Sequence, residues 1–142
     1  MLKFASLLAA PAILACSATP ALAQEAEEPR TTYRVTMIDL ADGADERWAE
    51  MHETMVVPAR AAAGLAPETV HWIMMNPEYD LMVVSEVPRG MSSFDTHANP
   101  ERAAFVAQLV QIAGGEDELE ALGEELDGLI EDTMVFHSHT HP

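Results

Sequence analysis

Three imidazoles at alternate positions, His137, His139 and His141, form the densest run of metal-binding side chains in the sequence. On a strand, alternate residues point the same way, so the three are candidate ligands for one metal ion, zinc or copper. Same-face neighbours on a strand stand about 7 Å apart, so shared ligation requires a twist or a frayed end. The plainer reading is a solvated tail. A second constellation joins His71, Glu86 and Arg34. Imidazole is the natural acid or base near neutral pH, and a carboxylate can orient it. In that arrangement His71 is the base, Glu86 its partner and Arg34 an anion anchor. Its plainer counterpart is an Arg34–Glu86 bridge beside a packed histidine.

The elements that position these groups are strands. Thr69 to Val87 reads as a hairpin whose two β-rich runs meet at the turn cluster Asn76-Pro77-Glu78-Tyr79. Alternation puts Val70, Trp72, Met74, Leu81, Val83 and Ser85 on one face, which requires a covering layer. The other face holds His71, Ile73, Met75, Met82, Val84 and Glu86. A first strand over 31–40 divides Tyr33, Val35 and Met37 from Arg34, Thr36 and Ile38. A last strand over 132–140 divides Met134, Phe136 and Ser138 from Val135, His137 and His139. The expected site is the face turned away from the helices. There Arg34, His71 and Glu86 are the candidate catalytic groups, with Thr36, Ile38, Ile73, Met75, Met82, Val84 and His137 as candidate ligand-binding residues.

Between the strands the apolar spacing turns helical. Trp48, Met51, Met55 and Ala59 make one stripe in a helix over about 44–64, which Pro58 should kink or divide. Ser92 or Ser93 can cap a short turn containing Phe94 and His97. Asn99 before Pro100 starts a helix that Gly114-Gly115 ends. A further helix over 116–131 turns Leu119, Leu122, Leu126, Leu129 and Ile130 inward. The order is β-α-β-β-α(α)-β, the ferredoxin-like α+β arrangement, with an extra helix before the last strand. Right-handed crossovers put both helical layers on one face of a four-stranded antiparallel sheet. The bare apolar face predicts a homodimer.

The stretch Ser93 to Phe105, SFDTHANPERAAF, resembles the F-x-x-H…F segment of antibiotic-biosynthesis-monooxygenase-type domains. Those belong to the dimeric α+β barrel superfamily, and the similarity of element order spans roughly Thr31 to Thr140. The resemblance implies a cavity lined by the sheet and, for an enzyme, cofactor-independent oxygenation of an aromatic or apolar substrate. It also implies a haem-ligating position at His97, although Trp72 falls on the wrong side of its strand to be the aromatic neighbour of such a site.

Bulk properties remove other classes. The sequence has 142 residues, 24 acidic and 7 basic, for a net charge of −17. Such a chain repels phosphate backbones and anionic lipid, so nucleic acid is excluded as a partner. Residues 1–23 read as a signal peptide, from Lys3 through a short apolar run to Ala21-Leu22-Ala23. Residues 24–30 are a polar lead-in, and 31–142 the barrel domain. The lone Cys16 sits in a lipobox-like Ile13-Leu14-Ala15-Cys16, the one route to membrane attachment. Cleavage after Ala23 leaves no cysteine and no lysine, which excludes disulfides, thiolate nucleophiles and Schiff bases. No nucleophile elbow, phosphate loop or dinucleotide fingerprint is present.

Three functions remain. The first is an exported, periplasmic or secreted, small-molecule-binding dimeric barrel with monooxygenase-like chemistry and no cofactor. The second is a non-catalytic protein holding a metal ion through His137, His139 and His141, or haem through His97. The third is an interaction domain without an active site.

Overall fold

A computed structural model describes residues 30–141. The expected signal peptide, the lipobox-like segment at Cys16 and most of the expected lead-in lie outside the described residues. The chain runs β1 (Thr32–Leu40), α1 (Asp45–Met51), a π-helical turn (His52–Val56), α2 (Val57–Ala62), β2 (Thr69–Trp72) and β3 (Leu81–Glu86). A 3₁₀ turn (Gly90–Phe94), α3 (Pro100–Ala113), α4 (Glu116–Gly128) and β4 (Ile130–His139) follow. The strands pair antiparallel in the order β2-β3-β1-β4. That order and these connections make the fold ferredoxin-like α+β.

Local chemistry explains the boundaries. Pro58 lacks an N–H, and in a regular helix its ring would crowd the carbonyl of Thr54. The π turn absorbs that conflict, closing with the Val57 N–H donating to the His52 carbonyl. Asn99 caps α3 through its side-chain oxygen, which accepts the Arg102 N–H at 2.8 Å. Gly114 ends the same helix at φ 100°, a conformation that suits glycine. The loop from β2 to β3 is longer than the expected turn. Asn76 still organises it, its side-chain oxygen accepting the Glu78 N–H at 2.7 Å.

The registers assign the faces. Directly opposed residues share a face, and Arg34, Thr36 and Ile38 oppose Ser85, Val83 and Leu81. Val83 and Leu81 in turn oppose Val70 and Trp72. On the other side Arg34 and Thr36 oppose His137 and Val135. These residues form the helix-facing side, where Ile38, Leu40, Ala44, Trp48, Leu81 and Val83 make the core. Leu81 is completely buried. The open side carries Tyr33, Val35, Met37, His71, Met82, Val84, Glu86, Met134 and Phe136.

This corrects the expected site. Alternation within each strand holds, but Arg34, Thr36, Ile38 and His137 lie on the face under the helices, while His71, Met82, Val84 and Glu86 lie on the other. The sheet therefore separates Arg34 from His71 and Glu86. Period two fixes relative faces within a strand and leaves the phase between strands open. Here both faces of β1 are partly apolar, so hydrophobicity did not choose between them.

Candidate functional site

The helix-facing side of the sheet does not close on its helices. A cavity of about 280 Å³ lies between them. Its floor is Arg34, Thr36, Ile38, Val83 and Ser85; Trp48, Met51 and Met55 form one wall, and Leu119, Leu122 and Leu126 of α4 another. No residue of α3 or α4 is fully buried. These two helices thus cover the cavity rather than fill a core. An ion pair ties α4 down: Arg47 Nε and NH2 donate to the two carboxylate oxygens of Glu125 at 2.6 and 3.0 Å. These bonds hold the Glu125 carboxyl below its usual range.

One cluster of polar side chains meets the cavity at the π turn. His52 is stacked on Trp48, with ring centroids 5.1 Å apart and planes 11° from parallel. Its Nε2 lies 3.2 Å from Oε2 of Glu68. The Glu68 Oε1 accepts from Arg60 NH1 at 2.9 Å. Arg60 also donates through Nε and NH2 to the Ala66 carbonyl, at 3.0 and 2.7 Å. The side chains of Arg60, Glu68 and His52 are only 11%, 13% and 13% exposed. An ionised Glu68 accepts hydrogen bonds and donates none, so the Nε2–H tautomer of neutral His52 satisfies the pair. That tautomer leaves Nδ1 as the proton acceptor. An apolar cavity with one oriented imidazole can bind a small molecule and move a proton.

The structure redistributes the residues expected from sequence. Arg34, Thr36 and Ile38 line this cavity. His71 and Glu86 are exposed on the open face, beside half-buried Met82 and Val84. Ile73 and Met75 fall in the loop after β2, where Met75 is fully exposed at φ 62°. His97 sits on an exposed bend outside the 3₁₀ turn and does not line the cavity. His137, His139 and His141 do not converge as a trio. His137 meets the Phe94 ring edge-on at 5.0 Å, whereas Nε2 of His139 and of His141 lie 3.2 Å apart. Among the described residues no group of three or more ligating side chains is placed to hold a metal ion.

No family model matches the chain, and no curated protein matches it. Solved structures do. PA3566 from Pseudomonas aeruginosa is 13% identical, with a TM-score of 0.47 over 80% of this chain and 97% of its own. A NIPSNAP family protein of unknown function from Agrobacterium tumefaciens is 13% identical, with a TM-score of 0.48 over 78% and 87%. A dimeric protein of unknown function and ferredoxin-like fold from Bacteroides fragilis is 13% identical, with a TM-score of 0.43 over 78% and 96%. The fold assignment here rests on the chain's own strand order.

Sequence reasoning overlooked His52, Glu68 and Arg60. One signal was available: His52 stands four residues after Trp48, on the apolar stripe of its helix, a spacing that brings two rings together. Glu68 gave none. It lies 16 residues from His52 and reaches it only because the chain folds back after α2.

Proposed function

We propose that this protein binds a small apolar or aromatic molecule in the cavity between sheet and helices, and that two copies pair through the open face of the sheet. The cavity carries this reading: apolar side chains form most of its wall, and the Trp48–His52 stack offers a flat aromatic surface. The finer reading is monooxygenase-like chemistry. In cofactor-independent oxygenation the substrate loses a proton, and its own carbanion then supplies the electrons to dioxygen. His52 Nδ1 is the group here suited to take that proton, with Glu68 stabilising the imidazolium. The leader read in residues 1–23 supports export to the periplasm or the medium.

Equilibrium dialysis against naphthalenemethanol tests the cavity. Retention by the protein is expected, and Leu122→Trp, which fills the space beneath α4, should abolish it. Unchanged retention in that variant places the ligand elsewhere.

A second reading has one observation in its favour. The 3.2 Å separation of the His139 and His141 Nε2 atoms is the spacing of two nitrogen ligands on one tetrahedral ion. It supports reading the end of β4 as a two-histidine metal site independent of the cavity.

A further inference from the structure

Arg34 differs from three other arginines of this chain. Arg47, Arg60 and Arg89 each meet a carboxylate within 3.0 Å. Among the described residues Arg34 meets none, in a sequence with 24 acidic residues from which to draw a partner. Its surroundings on the helix-facing side are donors of another kind. Ser85 is its direct partner on β3 and His137 its direct partner on β4, and Thr36 is the next residue along the same face. Arg34, Thr36 and Ser85 all line the cavity.

The cavity therefore has two polar ends. Ile38 belongs to the core cluster with Trp48, which stacks on His52. Arg34 lies four residues earlier on β1, about 13 Å along the strand from Ile38. At the His52 end the charges are already matched, since Glu68 holds both Arg60 and His52. At the Arg34 end a guanidinium and two hydroxyls have no acid to serve. A planar fork of N–H donors flanked by hydroxyls is the arrangement that takes a carboxylate or phenolate oxygen.

We infer that the ligand of this cavity is an apolar anion, a ring system or short chain bearing one carboxylate or acidic phenol, with its charged end on Arg34 and its apolar body running toward Trp48. The inference rests on the cavity being the binding site and adds the charge and polarity of the ligand. Arg34 is exposed at the mouth, and a neutral hydrocarbon would leave its guanidinium to water alone. A cation would face the guanidinium.

Isothermal titration with two probes of one shape tests it: naphthoate, which is charged, and naphthalenemethanol, which is not. Naphthoate is expected to bind about tenfold more tightly, the worth of one charge-assisted hydrogen-bonded contact. Arg34→Gln should bring the two probes to similar affinity without weakening the alcohol, and Arg34→Lys should keep part of the preference. Binding of the alcohol by the Gln variant shows that it is folded. Equal binding of both probes by the unaltered protein overturns the inference and leaves the cavity reading standing, as does a preference that survives Arg34→Gln. Binding of neither probe overturns the cavity reading and this inference with it.

Discussion

His52 and Arg60 share one carboxylate: Glu68 holds the imidazole at 3.2 Å with one oxygen and the guanidinium at 2.9 Å with the other. The bonds fasten three elements, since His52 lies on the π turn, Arg60 on α2, and Glu68 on the segment entering β2. They also fix which imidazole nitrogen carries the proton.

Removing the charge of Glu68 should expose both roles. Glu68→Gln leaves a buried guanidinium without its counter-charge, at a cost of about 3 kcal/mol in denaturant unfolding. His52→Gln removes only the neutral partner and should cost less. Its effect should instead fall on any proton transfer to a bound molecule. Equal destabilisation by the two variants would show that Arg60 does not depend on Glu68.

The Arg47–Glu125 pair is the tie between α1 and the helix that roofs the cavity. Its bonds depress the Glu125 carboxyl, so the folded state binds its proton less readily than the unfolded state does. The stabilisation is present above the unfolded carboxylate value of about 4.3 and is lost as pH falls through the folded one. Amide exchange in Glu116–Gly128, after correction for its intrinsic pH dependence, should therefore speed up in acid and in high salt. Arg47→Ala should show that fast exchange already at neutral pH. Exchange indifferent to salt, acid and Arg47→Ala would mean that packing alone holds α4.

The open face of the sheet predicts an oligomer. Phe136 is 42% exposed and Met134 44%, beside Met37, Met82 and Val84. Pairing with a second copy removes that surface from water. Sedimentation should give the mass of two chains, and Phe136→Asp should reduce it to one with the fold retained. A single-chain mass for the unaltered protein defeats the pairing.

The histidine run should behave as two ligands and a bystander. Copper or zinc retained in dialysis is expected to be lost in His139→Ala or His141→Ala and kept in His137→Ala, whose ring packs on Phe94. Equal loss in all three variants would restore the trio expected from alternation.

Local signals were legible wherever the deciding atoms are close in sequence. The Asn99 cap, the Gly114 stop, the disruption at Pro58 and the element order all follow from residues a few positions apart. The phase of β1 against the hairpin does not. Arg34 and Thr36 look like solvent-facing positions, yet they oppose Ser85 and Val83 under the helices, while Val35 and Met37 look outward. Burial does not sort the two faces either: Arg34 is exposed on the helix-facing side, whereas Val35 on the other side is buried among its neighbours on the sheet. Glu68 reaches His52 through a chain reversal that no spacing announces.

The π turn also limits how the chain length can change. A regular helix in place of His52–Val56 would bring the Pro58 ring back against the carbonyl four residues before it, so shortening the turn by one residue reinstates the clash that the wider turn absorbs. A displacement of α2 that relieved the clash would carry Arg60 off Glu68, and His52 would lose the carboxylate that orients it. Insertions between β2 and β3 carry no such consequence. Relatives that keep this cavity should therefore vary in length at the exposed loop around Met75 and keep the four-residue step from Trp48 to His52 and the eight-residue step from His52 to Arg60.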